Sequence, residues 1–210
     1  MYIIYYIYIF IIIFITILTR ICFMIFSTFK TERVQAAFMK RVKTVIILGS
    51  GGHTAEMIRI LNHLNLKNYS PRIYVHADTD VMSVEKVKEL EKDNNDYKII
   101  KIRRSREIHQ SYYTSVCTTI YAILESIPLL WTERPQLLLC NGPGTCVPLC
   151  IITFLFKVFY ITQTTIVFIE SFCRVQTLSL SGKILYYIAD YLIVQWPLLS
   201  KPMYKKAIYI

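Results

Sequence analysis

The sequence predicts an α/β protein: an N-terminal transmembrane helix and, behind it, one doubly wound domain built on a parallel sheet. Three observations lead there. Residues 2–19 carry no charge. From Thr44 onward, short continuously apolar runs alternate with amphipathic stretches, as buried parallel strands and covering helices do. Two of those runs, VIIL and LLLC, break into glycine-bearing loops that each open a helix. The division expected is a transmembrane anchor over 1–26, a basic juxtamembrane linker over 27–43 and the sheet domain over 44–210.

The anchor comes first. As a helix, residues 2–19 span roughly 27 Å, close to the hydrocarbon thickness of a bilayer. Arg20 can snorkel toward the headgroups while ICFMIF extends the helix to Phe26. A secretory signal peptide is the competing reading, but it lacks a basic leader and a small-residue cleavage site. No Lys or Arg precedes the span, whereas Arg20, Lys30, Arg33, Lys40, Arg41 and Lys43 follow it. The positive-inside bias therefore predicts a single-pass protein with its body in the cytosol.

The body follows in order. Strands are expected at 44–48, 72–76, 98–102, 136–140, 164–169 and 191–194, and helices at 55–64, 84–92, 113–132, 146–156 and 182–188. A second span over 147–161 competes with the fifth of these helices. Lys157 interrupts it and Pro148 suits the first turn of a helix inside a folded domain, which favours a buried crossover helix.

Composition narrows the function. The chain has 24 Lys+Arg against 14 Asp+Glu, a net charge of +10. Without Arg20 the balance is 23 against 14, or +9. A basic body at a membrane suits anionic headgroups or a phosphate-bearing substrate. No dense basic helix or interleaved aromatic pattern supports nucleic-acid binding. The six cysteines, Cys22, Cys117, Cys140, Cys146, Cys150 and Cys173, form no CxxC pair, so no metal is expected. They read as reduced core residues, and no cofactor is implied.

The chemistry concentrates at strand ends. Gly49, Gly51 and Gly52 join the first strand to its helix, letting a ligand approach backbone N–H groups at the helix's positive end. Ser50, His53 and Thr54 complete that loop. Thr54 stands where a dinucleotide fingerprint needs its third glycine, and no Gly-Lys-Ser/Thr follows. A phosphate or diphosphate is the ligand expected, with a plain tight turn as the bland alternative. His53 fits a neutral hydrogen-bonding group to phosphate or sugar, or a cap. The second loop, CNGPGTCVP, brings Asn141, Gly142, Gly144 and Thr145 to another helix start. Two such units converge at the carboxyl edge of a parallel sheet. Asp78, Asp80 and Glu170 end strands, where they suit sugar hydroxyls, general-base work or loop capping. Arg104 and Arg106 could clamp a diphosphate, and Arg174 is similar. His53 and Glu170 are the catalytic candidates.

Taken together, GSGGHTAEM, ADTD, RSRE, LCNGPGTCVP, ES-CRV-TLSLSGKIL and D-LIVQWP resemble the membrane-anchor subunits of the UDP-N-acetylglucosamine transferase. The resemblance runs from about Thr44 to Pro197. It implies the Rossmann-like N-terminal half of a split GT-B glycosyltransferase, similar to the acceptor half of the bacterial lipid-linked peptidoglycan N-acetylglucosaminyltransferase. It implies that a soluble catalytic subunit binds UDP-GlcNAc, and that this chain recruits it to the endoplasmic reticulum membrane, continuous with the nuclear envelope. The acceptor would be dolichol-diphosphate-GlcNAc, to which the complex adds the second GlcNAc. The chain alone should be inactive. On this resemblance Gly49, Gly51, Gly52, His53, Gly142 and Gly144 correspond to the diphosphate-contacting loops. Family members tend to continue past the position of Ile210 into a tail that helps dock the partner, so docking here is expected from other surfaces, or the copy is truncated. A membrane-tethered NAD(P)-dependent oxidoreductase, with Gly49–Gly52 on the pyrophosphate and Asp78 on a ribose, is the alternative. The missing third glycine counts against it.

Overall fold

The computed structural model describes residues 2–29, 41–104, 112–142, 144–200 and 203–210. Strands β1 (Thr44–Ile47), β2 (Arg72–Ala77), β3 (Tyr97–Ile102), β4 (Leu137–Asn141), β5 (Thr165–Ile169), β6 (Tyr191–Val194) and β7 (Ala207–Tyr209) build one sheet. Its order is β3-β2-β1-β4-β5-β6-β7. Every pairing is parallel. Six α-helices accompany it among the described residues: α1 (Tyr2–Phe29), α2 (Gly52–Asn62), α3 (Val81–Leu90), α4 (Tyr112–Glu133), α5 (Cys146–Val158) and α6 (Leu180–Ile188).

Alternate strand residues feed two cores. Val45, Ile47, Ile73 and Val75 pack with Leu130, Leu149 and Leu185 from α4, α5 and α6. Ile46, Leu48 and Tyr74 pack with Met57, Leu61 and Val87 from α2 and α3. Both faces are covered, which is why the strands read as unbroken apolar runs. The chain winds outward from β1 to β3, then α4 carries it back to β4 beside β1, with Ile47 opposite Cys140. The carboxyl ends of β1 and β4 thus meet at the point where strand order reverses.

Helix α5 is buried along most of its length and serves as the crossover helix. Its Lys157 donates to both Asp190 oxygens at 2.6 and 2.7 Å, and Asp190 also accepts from Ile166 N at 2.7 Å. That pairing lets a lysine sit in an apolar helix.

Helix α1 is long and apolar enough to cross a membrane over Ile4–Phe29. It continues past the expected boundary at 26, so 27–29 belong to the helix; of the rest of the expected linker, 30–40 lie outside the described residues and 41–43 lead directly into β1. Contacts explain the extension. Ile21, Met24 and Ile25 pack on the core. Thr28 Oγ1 donates to Tyr187 O at 3.3 Å, and the Phe29 ring lies edge-on to Tyr186 at 5.4 Å.

Two expectations need correction. Cys140, Cys146 and Cys150 are core thiols, pushed up in pKa by burial, but Cys22, Cys117 and Cys173 are exposed on α1, α4 and the loop after β5. Strand β7 was not foreseen. It runs beside β6, and Lys206, just before it, donates from Nζ to the carbonyls of Tyr186 and Ala189, closing the end of α6.

Candidate functional site

The two glycine loops are one structure. Strand β1 runs through Leu48 into Gly49 and Ser50, then Gly51 turns the chain at φ +63 and caps α2. A Cβ on Gly51 or Gly52 would meet nothing within 4 Å, so the turn into α2 has open space beside it, and the first amides of α2 lie at that turn. They are unpartnered inside the helix and carry its positive end.

From β4 the second loop comes up beside it. His53 Nδ1 lies 3.2 Å from Asn141 Oδ1. An amide oxygen only accepts, so with this assignment Nδ1 carries the proton and Nε2 is left as the acceptor. Gly142, also at φ +63, lies under the ring: a Cβ there would fall 2.6 Å from His53 Cε1. Gly142 N donates to Ile169 O at 3.2 Å, tying the loop to β5. Asn141 and Thr145 are buried, yet among the described residues Asn141 Nδ2 and Thr145 Oγ1 find no partner. Thr145 stands at the N-cap of α5 without a side-chain cap bond. Buried polar atoms ordinarily find partners, so an orphan amide and hydroxyl at a helix start mark a place for a ligand.

Charge arrives from β3. Arg104 donates from Nη2 to Ser50 Oγ at 2.9 Å, setting a guanidinium beside the first loop. Arg106 lies outside the described residues. Arg174 is exposed on the loop after β5, and Asp78 is exposed at the end of β2.

Two acids have other work. Asp80 is buried and caps α3 through Ser83 N at 3.3 Å, while Ser83 Oγ donates to its carboxylate. Ser83 Oγ lies 2.5 Å from Thr54 Oγ1, which donates to Gly49 O. Asp80 and Thr54 therefore brace the first loop from beneath rather than face the open side. Glu170 is fully buried. It accepts from Ser171 N at 3.0 Å and from Ser179 N and Oγ at 2.9 and 3.0 Å. Gly182 closes over it, since a Cβ there would fall 2.2 Å from Oε2. Its carboxylate shapes the loop leading into α6 and is closed to a substrate.

One residue escaped the sequence reading. Glu56 on α2 accepts from Phe172 N at 2.7 Å, from Ser171 Oγ at 3.3 Å and from Gln195 Nε2. It staples the loops after β5 and β6 to the helix that carries the first glycine loop. Its signal, an acid one turn into α2, has no local partner to reveal it.

Comparison with known proteins places the chain. Residues 44–210 match the family model described as "Oligosaccharide biosynthesis protein Alg14 like". UDP-N-acetylglucosamine transferase subunit ALG14 of Rattus norvegicus is 48% identical over 175 residues, covering 79% of this chain and 80% of the relative. The Homo sapiens protein of the same name is 47% identical over 175 residues, with 79% and 80% covered. That of Schizosaccharomyces pombe is 44% identical over 171 residues, with 79% and 80% covered. Among solved structures, Acinetobacter baumannii MurG superposes with a TM-score of 0.54 at 12% identity, covering 79% of this chain and 45% of that one. A UDP-N-acetylglucosamine 2-epimerase gives 0.52 at 15% identity, with 74% and 40% covered. At such identities the likeness is one of fold, and this chain spans less than half of either structure.

Proposed function

The chain belongs to the Alg14-like family of oligosaccharide biosynthesis proteins, and from that premise we propose that it is the membrane-anchoring, acceptor-presenting half of a split UDP-N-acetylglucosamine transferase. Its glycine loops receive the diphosphate of dolichol-diphosphate-GlcNAc. A soluble partner subunit supplies the other half of the cleft, with UDP-GlcNAc bound. The acceptor sugar's hydroxyl oxygen attacks the donor's anomeric carbon, the bond to UDP breaks, and the hydroxyl proton passes to a base in the assembled complex.

The observation that carries this reading is the seat of His53 on Gly142. It joins two helix N-termini, the orphan groups of Asn141 and Thr145, and the Arg104 charge into a single cradle for an anion. Gly49, Ser50, Gly51, Gly52, Asn141, Gly142, Gly144 and Thr145 form that cradle. Of the two catalytic candidates only His53 keeps a ring nitrogen for chemistry, because Glu170 is enclosed. A polyprenol-linked substrate also explains why the domain hangs from an apolar helix, with its body on the cytosolic face of the endoplasmic reticulum. The part shared with the solved structures of this fold makes up less than half of each of them, consistent with half a cleft here. The family leaves the NAD(P) alternative without support.

The test is co-purification from microsomes, followed by a transfer assay with UDP-GlcNAc and a dolichol-diphosphate-GlcNAc analogue. Product should form only when the partner subunit is present. Product from this chain alone overturns the split-enzyme reading.

A further inference from the structure

Helix α4 leaves an apolar face open. Val116, Ile120 and Leu124 recur every fourth residue and are 59%, 53% and 58% exposed, and Tyr121 and Trp131 are exposed beside them. Stacked in this way they form a stripe rather than scattered surface residues. The only acids on the helix, Glu125 and Glu133, are both paired: Glu125 with Arg103 at 3.9 Å, Glu133 with Lys43 at 2.8 Å and Lys98 at 3.4 Å. Guanidinium groups cap the aromatic rings, Arg103 over Tyr121 at 4.9 Å and Arg134 over Trp131 at 5.2 Å.

The anchor gives this face a direction. Thr28 and Phe29 hold α1 against α6, while Arg20 sits 4.0 Å over the ring of Tyr160, just beyond the end of α5. Followed back toward its N-terminus, α1 therefore crosses the helical layer from α6 to α5. The next helix in that row is α4, which packs on α5 in the same core. Trp131 meets Phe156 edge-on at 6.0 Å, one turn before Tyr160. The apolar face thus begins beside the place where α1 leaves the domain. It climbs from there to Val116, toward the carboxyl edge that holds the cradle.

We propose that the outer face of α4 lies on the surface of the bilayer that α1 enters, giving the domain a second membrane contact. The inference rests on α1 being a membrane anchor. Apolar side chains flanked by aromatic rings and guanidinium groups suit the boundary between acyl chains and headgroups, and the chain's +10 charge favours an anionic leaflet. Lying down on α4 keeps the cradle at headgroup height, within reach of a lipid's diphosphate.

The chain holds two tryptophans, Trp131 and Trp196, so its own fluorescence reports the contact. The full chain carrying Trp196→Phe is reconstituted in phosphatidylcholine–phosphatidylserine vesicles, with and without dibrominated acyl chains. Trp131 emission should fall in the brominated vesicles. Emission from Trp196 in the Trp131→Phe chain should not. Adding Ile120→Glu and Leu124→Glu to the Trp131-only chain should restore the lost emission, with thermal unfolding confirming an intact fold. Equal Trp131 emission in both vesicles overturns the proposal. So does labelling of Cys117 in vesicles by a hydrophilic maleimide as fast as Cys173, or shielding of Trp131 only when the partner subunit is added. None of these readouts needs a sugar donor, so they can fail while transfer by the assembled complex persists.

Discussion

The imidazole of His53 rests on Gly142, which has no room for a side chain beneath it. That contact couples two loops from different strands, so displacing one displaces the other. Gly142→Ala should push the ring aside and also strain a backbone at φ +63. Misplacement by about 1 Å can cost on the order of 10²-fold in rate. We expect a loss of that order in kcat/KM for the lipid acceptor, measured on the assembled complex. The mutant chain should still co-purify with its partner, because the change lies inside the cradle.

Gly52→Ala separates binding from folding. Gly52 is the first residue of α2, has no positive φ, and a Cβ there meets nothing within 4 Å. In a helix alanine is favoured over glycine by about 0.5–1 kcal/mol, so thermal stability should hold or rise. The added methyl nevertheless occupies the open side of the cradle. KM for the acceptor should increase while the melting temperature does not fall. An unchanged KM would mean the glycine serves the turn alone.

Thr54 tests the bracing beneath the loop. Its hydroxyl donates to the buried carbonyl of Gly49 and lies against Ser83. Thr54→Val keeps the shape and removes the donor. Leaving a buried acceptor unsatisfied costs about 1–3 kcal/mol. Chemical denaturation should show a loss in that range, and Thr54→Ser should recover most of it.

Much of this architecture is legible in the sequence because burial on both sheet faces writes itself as runs such as VIIL and LLLC. The glycine loops are legible for a related reason: a turn into a helix start with open amides needs residues without side chains. Strand β7 is not, since three residues after a polar stretch make no pattern. Nor are the roles of the acids. A strand-end acid looks alike whether it faces solvent, as Asp78 does, or is enclosed by the chain folding back, as Glu170 is by Ser179 and Gly182. Glu56 meets Phe172 across 116 positions, a contact no local spacing encodes.

The amino-terminal edge of the sheet, opposite the cradle, holds a buried ion pair whose loss should destabilise the protein without touching the site. Arg72 donates to Glu91 at 2.5 and 2.7 Å, and Tyr74 donates to the same carboxylate at 2.6 Å. Their side chains are 2% and 0% exposed. Removing one partner of such a pair costs about 3–5 kcal/mol, because the other charge stays buried alone. Glu91→Ala should lose stability in that range. Activity per folded molecule should be close to unchanged.

Lys206 supplies the last prediction, a pH dependence. Burial lowers its pKa from 10.5 to about 8, with nearby Asp190 opposing the shift and Lys157 adding to it. The folded chain therefore gives up this proton before the unfolded chain does. Between about pH 8 and 10.5 the unfolded state binds more protons, so this group raises stability as pH rises through that window. The buried thiols of Cys140, Cys146 and Cys150 act in the other direction. Their pKa values are raised above 9.0, so the unfolded state loses protons first and stability falls at higher pH. Tyr74, raised from 10.0, adds to that fall. The contribution of Lys206 is therefore cleanest between about pH 8 and 9, read as a difference between two chains. Lys206→Met has no proton to release there. In detergent-solubilised protein, the melting temperature of wild type relative to Lys206→Met should climb across that interval. A gap that stays constant with pH would show that the Lys206 ammonium keeps its proton in the fold.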